Sequence, residues 1–375
     1  MRFIAITMVV LHHVNERLLR REGAHYIDVI FGNTNLIIST GSWGVLLFFS
    51  LSGYVLYGIL SRPLLAGAPQ KLKQYFLRRL TRLEPPYFLV MVGIFVFLVV
   101  TGYESTYAQS FNTGTESLPS ALLASLTYSY DLIFGALPKL NPPTWSLEVE
   151  IQFYVLAPLL TMLILRASKR AEVRFALAMA TIVAWPIVIG TLVFDNSHLT
   201  NSLIRYFPYF IAGFAAAEWG RITSARVAPT WLPRVYDLTA IALFLALPEW
   251  LKMNHLWWTD IIVPITALAI IVAALHGRWV KRFTGNRWIA VIGGMCYSIY
   301  LVHLPVLELV ASKTASHGAG RPYLAYFAVQ FVVLAAIVLC VAVPFYVLVE
   351  RPCMRKDWPS RMLARMRGAP RTDPS

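Results

Sequence analysis

Ten stretches of this chain are apolar enough to enter a lipid bilayer as helices, and this pattern restricts the fold more than any other feature of the sequence. They cover residues 2–14, 43–60, 85–100, 145–165, 175–194, 202–217, 235–250, 261–275, 288–310 and 324–349. Only 14% of the 375 residues are charged, whereas soluble domains carry about 25%. The sequence therefore predicts an all-α, polytopic membrane protein with about ten transmembrane helices and excludes a soluble globule.

Basic residues set the expected orientation of these helices. Lys and Arg cluster between predicted helices two and three, four and five, six and seven, and eight and nine, and again after helix ten. The long segment 101–144, by contrast, has only Lys139. The positive-inside rule then predicts that both termini are cytoplasmic, although Arg17, Arg20 and Arg21 after helix one depart from the pattern. We attribute the net charge of +14 to cytoplasmic loops facing anionic lipids rather than to a nucleic-acid partner.

The chain divides into two parts by composition. Residues 1–352 form the predicted integral membrane domain, and residues 353–375 form a short, basic cytoplasmic tail that we expect to be disordered. The cysteines Cys296, Cys340 and Cys353 lack metal-type spacing, so neither a metal site nor a disulfide framework is expected.

The first predicted helix carries two polar residues on one face. His13 follows Arg2 by eleven positions, with ten residues between them, which is about three helical turns and a rise of about 16 Å. If Arg2 marks the membrane surface, His13 lies near the middle of the hydrocarbon core. A histidine at that depth is costly unless it has a hydrogen-bonding partner or a functional role. We expect no cleaved signal peptide, because His12, His13 and Asn15 follow the apolar run without a small-x-small cleavage pattern.

Other polar residues fall at a similar depth. Helical rise places Ser52, Glu150 and His303, like His13, in the middle-to-outer part of the bilayer, which predicts one shared cavity. The alternatives are an interhelical hydrogen bond for His303 and a structural ion pair with an arginine for Glu150.

A cluster of arginines lies on the predicted cytoplasmic side of the membrane. Arg78, Arg79 and Arg82 come just before Pro85, and Arg79 and Arg82 share a helix face. Guanidinium groups suit bidentate phosphate binding, so the cluster is a candidate phosphate site. An ordinary positive-inside anchor is the alternative.

Six motifs, in order along nearly the whole chain, resemble those of membrane acyltransferase family 3. They are Arg2-x10-His13, the stretch 41–54 ending in Ser52-Gly53-Tyr54, Arg79-x-x-Arg82 before Pro85, the block Trp145-Ser-Leu-Glu-Val-Glu150-Ile-Gln-Phe-Tyr154, Tyr297-Ser-Ile-Tyr-Leu-Val-His303-Leu-Pro305, and Glu350-Arg-Pro352. The resemblance implies transfer of an acyl group, most commonly acetyl from acetyl-CoA, onto a hydroxyl of a sugar. The acceptor would be a surface or exported polysaccharide or a lipid-linked sugar, and the location a bacterial cytoplasmic (inner) membrane. Acyl-CoA would be a donor substrate, with no permanently bound cofactor.

The resemblance also suggests roles for individual residues. His13 would deprotonate the acceptor hydroxyl or take the acyl group covalently, and Glu150 would orient or stabilise its imidazole. Arg79 and Arg82, with Arg78 in support, would bind the CoA phosphates, and Arg2 would meet the donor at the inner mouth. The predicted pocket lining consists of Ser52, Tyr54, Trp145, Ser146, Tyr154 and His303. The CoA arm would enter from the cytosol and the acceptor from the outer side, where segment 101–144 would help to select it.

Two other classes of function compete with an enzyme. A secondary transporter or flippase also fits many helices with buried charges, but it predicts internal repeats with paired broken helices, which the sequence does not show. A non-catalytic assembly partner gives no reason for Arg2 and His13 to share a face. Hydrolysis or transfer of acetyl from acetyl-CoA separates the enzyme from both.

Overall fold

All regular secondary structure in the described part of the chain is helical. The computed structural model describes residues 1–22, 41–103, 116–194, 197–224, 229–252, 258–314, 323–355 and 358. The helices are α1 (Arg2–Glu22), α2 (Gly41–Leu65), α3 (Leu72–Thr101), α4 (Leu118–Leu126), α5 (Tyr130–Phe134), α6 (Trp145–Ala167), α7 (Ala171–Phe194), α8 (Ser197–Thr200), α9 (Leu203–Ser224), α10 (Leu232–Lys252), α11 (Thr259–His276), α12 (Trp279–Thr284), α13 (Arg287–Gly294), α14 (Cys296–Thr314), α15 (Tyr323–Phe345) and α16 (Arg351–Cys353). A 3₁₀ turn (Pro142–Thr144) precedes α6, and a π-helix (Tyr346–Glu350) joins α15 to α16.

Six of these helical segments are long and apolar enough to cross a membrane, or seven if one bent pair is a single span. They are Trp43–Leu65, Leu72–Thr101, Pro142–Ala167, Ala171–Gly190, Thr259–His276 and Leu324–Cys353, and the bent pair is α13 with α14. The predicted segments 2–14, 202–217 and 235–250 also lie in helices, α1, α9 and α10. The described chain is thus an all-helical membrane protein, as the sequence predicts.

Two helix boundaries differ from the sequence prediction. Helix α3 begins at Leu72 and carries Pro85 and Pro86 in its interior, so it starts well before the predicted span 85–100. Pro85 lacks an N–H and frees the carbonyl of Thr81, four residues earlier, which instead accepts a hydrogen bond of 3.0 Å from the Trp358 indole. The predicted ninth helix breaks after Gly294, where α13 and α14 meet at a bend of 64°.

Small residues allow the helices around the site to approach closely. A Cβ atom added at Gly44 on α2 would lie 2.2 Å from the carbonyl oxygen of Ala5 on α1. One added at Gly53 would lie 2.1 Å from the carbonyl oxygen of Phe210 on α9. Such backbone contacts are typical of membrane helix interfaces. They fix α2, and with it Ser52, between α1 and α9.

Two predictions fall largely outside the described residues. The first is the disorder expected for the tail 353–375, of which the structure describes only residues 353–355 and 358. The second concerns the loop 101–144, in which residues 104–115 lie outside the described residues. Cys296, Cys340 and Cys353 are free thiols.

Candidate active site

A cavity opens where the starts of α1 and α14, the middle of α2, the first half of α3 and the start of α6 converge. Its lining includes seven of the predicted site residues: Arg2, Ser52, Arg79, Arg82, Ser146, Glu150 and Tyr154. Cys296, Tyr297 and Tyr300 complete the wall on α14. Residues from five helices, far apart in sequence, therefore line one partly open cavity.

The charge in this cavity is unbalanced. Among the described residues, three guanidinium groups, those of Arg2, Arg79 and Arg82, line it together with one carboxylate, Glu150. A second carboxylate, that of the fully buried Glu350, interacts electrostatically with Arg82 and Arg2. Within the described ranges, none of the three arginines forms an ion pair. The Nε atom of Arg82 is buried with no hydrogen-bond partner, and the Arg79 guanidinium lies 5.3 Å from the Tyr154 ring centroid. An anionic ligand would supply the missing acceptors.

Glu150 is held by hydroxyl groups on two helices. Ser52 Oγ donates to Glu150 Oε1 at 2.5 Å, and the Tyr154 hydroxyl donates to the same oxygen. The carboxylate is thereby fixed in the cavity wall, on the same side as the arginines. Its hydrogen bonds within the described structure go to Ser52 and Tyr154 and not to His13.

His13 pairs instead with a second histidine. Nδ1 of His303 lies 2.7 Å from the Tyr300 carbonyl oxygen and 3.2 Å from that of Ile299. Because carbonyl oxygens only accept, this nitrogen carries a proton, and Nε2 of the neutral ring is an acceptor. Nε2 of His303 lies 3.2 Å from Nδ1 of His13, which is also 2.9 Å from the Val9 carbonyl oxygen. His13 Nδ1 is therefore the donor, and Nε2 of a neutral His13 is the nitrogen able to take up a proton.

Tyr300 neighbours both the cavity and the histidine pair. Its ring lines the cavity and lies 5.7 Å, centroid to centroid, from His303. Its hydroxyl donates to the Pro143 carbonyl and accepts from Ser146 Oγ at 2.6 Å. Tyr300 thus lines the same cavity as the arginines and Glu150 and also neighbours His303, whereas neither histidine of the pair lines the cavity.

A comparison with protein families assigns the chain over nearly its whole length. The model of the acyltransferase domain of family 3 matches residues 1–349. The chain belongs to acyltransferase family 3. A provisionally named O-acetyltransferase of Staphylococcus aureus strain COL is 23% identical over 338 residues, which is 83% of this chain and 50% of that protein.

Other relatives carry more specific names. A provisionally named peptidoglycan O-acetyltransferase, YrhL, of Bacillus subtilis strain 168 is 24% identical over 364 residues, 87% of this chain and 52% of its own. The O-acetyltransferase OatA of S. aureus strain NCTC 8325 / PS 47 is 22% identical over 328 residues, 83% and 50% of the two chains. The chain spans about half the length of these curated relatives. No solved structure matches it.

Five predicted site residues of this family 3 chain do not line the cavity: the histidine pair His13 and His303, and also Arg78, Trp145 and Tyr54. Arg78 points into an adjoining groove. Trp145 packs against aromatic rings, with its centroid 5.1 Å from that of Tyr206. Tyr54 packs against the hydrophobic core. Arg78, Trp145 and Tyr54 lie in or beside the sequence motifs of the site, but their side chains leave the helices in other directions.

The sequence motifs left several residues at the site without a predicted role. Cys296, Tyr297 and Tyr300 lie on the cavity wall, and the signal for them was their place within and just before the motif that contains His303. Glu350 is fully buried and accepts hydrogen bonds from Ser298 N and Oγ at 3.0 and 2.5 Å. Its signal was the Glu350-Arg-Pro352 motif, to which no role was assigned.

The described part of α1 also contains a group able to hold a metal ion, where the sequence predicts none. His12, His13 and Glu16 offer ligand atoms that lie within 4.8 Å of one another. His12 Nε2 is 3.6 Å from Glu16 Oε1. Imidazole and carboxylate ligands would suit a transition metal such as zinc.

A second pair of carboxyl groups lies outside the cavity. The backbone N–H of Asp131, on α5, donates to Glu148 Oε2 at 3.1 Å. Asp131 is 2% exposed, and Asn201 donates to its Oδ1 at 3.3 Å. Burial is the largest effect on the pKa of Asp131 and raises it above the ordinary value for an aspartate.

Proposed function

We propose that this chain is an O-acetyltransferase of the bacterial cytoplasmic membrane, which takes acetyl from acetyl-CoA on the cytoplasmic side and transfers it to a sugar hydroxyl. The observation that carries the proposal is the cavity with three arginines that have no ion-pair partner among the described residues. Acetyl-CoA is a polyanion with a long, uncharged arm that ends in a thioester. Its phosphates would satisfy Arg79 and Arg82, and its arm would extend past Glu150 towards Tyr300.

The proposal includes a topology with ten membrane helices and with both termini in the cytoplasm. Helices are present at all ten predicted segments. The start of α1 and the first half of α3 line the same cavity, so Arg2 and the arginines of α3 lie at one end of the bundle. The basic loops make that end the cytoplasmic one.

The chemistry we propose uses His13 as the base. Nε2 of His13 takes the proton of the acceptor hydroxyl while the hydroxyl oxygen attacks the thioester carbonyl carbon, forming a tetrahedral oxyanion. The C–S bond then breaks, the sulfur leaves as the CoA thiolate, and the proton on His13 Nε2 passes to that sulfur. Because Nδ1 of His13 already donates to His303 and to the Val9 carbonyl, the ring is held with Nε2 as its basic nitrogen.

The Ser52–Glu150–Tyr154 cluster would act on the donor side of the reaction. Its carboxylate lies in the same wall as the arginines and is held by two hydroxyl donors. We propose that it places the end of the CoA arm rather than contacting His13 directly. This replaces the direct pairing of Glu150 with His13 that the sequence analysis expects.

The acceptor class follows from the relatives and not from the cavity. YrhL carries peptidoglycan in its name, so a cell-wall sugar is the first acceptor to test. Exported polysaccharides and lipid-linked sugars form the wider class. The segment between α3 and α6 would contribute to the choice.

The experiment that tests this function uses the purified chain in sealed vesicles with labelled acetyl-CoA and soluble peptidoglycan fragments. Donor and acceptor are placed on the same side or on opposite sides of the membrane, and both CoA thiol release and labelled sugar are measured. We expect labelled sugar with the donor on the side of the arginines and the acceptor on the other. Movement of either compound without thiol release would show a transporter and overturn the proposal.

A further inference from the structure

A basic groove adjoins the cavity at its arginine end. Its cationic lining consists of Lys71, Arg78, Arg79, Arg82 and Arg355, and none of the described Asp or Glu residues lines it. Arg79 and Arg82 also line the cavity, so the two spaces share a wall. We refer to this space as the basic groove.

The outer cations of the basic groove have no counter-charge in the described structure. Lys71, Arg78 and Arg355 are exposed, and none of them forms an ion pair with a described residue. From Leu72 to Arg82, helix α3 rises about 15 Å, so these cations and the shared pair Arg79 and Arg82 are too widely spaced for one phosphate group. The spacing fits an extended anion with phosphates at more than one place.

The position of Arg355 is fixed by the fold. The Trp358 indole donates to the Thr81 carbonyl that Pro85 leaves without a partner, which fastens the segment after α16 to α3. The backbone N–H of Arg355 donates to the Pro352 carbonyl at 3.1 Å. The segment 353–355 thereby brings the Arg355 cation to a groove whose remaining described lining lies within residues 59–82.

The basic groove also has an apolar wall. It includes Ile59, Leu60 and Pro63 on α2 and Tyr75 on α3. A groove that combines cations with apolar residues and shares Arg79 and Arg82 with a second cavity suits a phosphorylated nucleoside that carries a long arm. A free lipid headgroup would use the cations but would not account for the shared arginines.

We propose that the basic groove binds the 3′-phosphate of the CoA nucleotide through Lys71, Arg78 and Arg355, while Arg79 and Arg82 bind the pyrophosphate. This inference rests on the proposed function, because it assigns the donor of that same site. The adenine lies against the apolar wall, and the arm passes between Arg79 and Arg82 into the cavity. The groove therefore selects donors that carry the 3′-phosphate.

The test compares acetyl-CoA with acetyl-dephospho-CoA, which lacks only the 3′-phosphate, in the purified full chain. The variants are Lys71→Gln, Arg355→Gln and the double variant, and the control is Lys73→Gln, an exposed neighbour that does not line the groove. We expect the wild type to have a KM about threefold to tenfold lower for acetyl-CoA, the range for ion pairs at a partly exposed site. The double variant should raise that KM to the value for acetyl-dephospho-CoA and leave the latter unchanged, whereas Lys73→Gln should preserve the preference.

Three results would overturn the inference. Equal KM values for the two donors in the wild type would show that the 3′-phosphate is not recognised. An equal rise in both KM values in the double variant would place the contact on a phosphate common to both. Variant effects that appear only in vesicles with phosphatidylglycerol, and not in neutral detergent, would assign the groove to lipid.

The same data separate this inference from the proposed function. If the wild type transfers acetyl from both donors with the same KM, only the assignment of the groove is wrong. If it transfers acetyl from neither donor, both the groove assignment and the proposed function are wrong.

Discussion

His303 Nε2 lies 3.2 Å from His13 Nδ1, and this contact joins the end of α1 to α14 across 290 residues of sequence. His303 is itself fixed by the carbonyl oxygens of Tyr300 and Ile299, and it is fully buried. The orientation of the proposed base thus depends on a ring that does not line the cavity.

Replacing His303 should impair turnover more than donor binding. His303→Ala removes the acceptor for His13 Nδ1, and we expect kcat to fall about tenfold to 100-fold, the cost of losing a buried hydrogen-bond partner. The KM for acetyl-CoA should change little, because His303 does not line the cavity that contains the arginines. His303→Gln, whose amide oxygen can accept, should recover part of kcat. A KM effect without a kcat effect would show that His303 belongs to donor binding.

The cavity arginines should determine the affinity for the donor. Arg82→Gln removes a guanidinium whose Nε is buried without a partner, and we expect the KM for acetyl-CoA to rise at least about tenfold, since hydrogen bonds to charged groups are among the stronger ones. The control is Arg62→Gln, an exposed arginine near the end of α2. Similar KM values for both variants would contradict a specific role for Arg82.

A buried charge network should contribute to stability without affecting donor binding. Arg174 donates to Glu218 at 2.8 and 2.9 Å, and both side chains are almost fully buried. Glu218→Gln would leave Arg174 charged and without its counter-ion, and we expect a loss of about 3–5 kcal/mol. Arg221→Gln, at a more exposed partner, should cost about 1 kcal/mol or less. Thermal unfolding in detergent measures both losses, and equal shifts would refute the ranking.

The burial of Asp131 predicts a pH effect on stability. Its pKa in the folded state is raised above the unfolded-state value. At pH values between these two pKa values, the native state therefore binds more protons than the unfolded state. The free energy of unfolding then falls as the pH rises through this window. Asp131→Asn cannot ionise and should be more stable than the wild type above the window, with a difference that shrinks as pH falls below it. Unfolding temperatures of both proteins measured against pH test this. A difference that does not depend on pH would exclude ionisation of Asp131 as the cause.

Much of the helical framework can be predicted from the sequence, because apolar length is a local property. The start of α3 cannot, because Pro85 is tolerated inside the helix only when a distant group, the Trp358 indole, contacts the freed Thr81 carbonyl. The bend between α13 and α14 does have a local signal, the pair Gly293-Gly294 at the end of α13, which the hydropathy pattern alone does not register.

Seven of the predicted site residues line the cavity, but the sequence does not give the direction in which each side chain points. Helical rise places Glu150 and His13 at comparable depths, yet it does not give the angle at which each helix faces its neighbours. For that reason the partners Ser52 for Glu150 and His303 for His13 emerge only from the fold. Arg355 in the basic groove was missed because its place depends on how the chain end folds back on α3.

The central claim is that His13 is the base in acetyl transfer, and its neighbour His12 provides a matched control on the same helix. The decisive measurement is the rate of acetyl transfer from acetyl-CoA to a peptidoglycan fragment by purified, folded His13→Ala and His12→Ala proteins. We predict that His13→Ala lowers kcat by at least about 100-fold, the lower range for loss of a general base, while His12→Ala retains most of its activity. A His13→Ala protein that transfers acetyl at the wild-type rate would contradict the account.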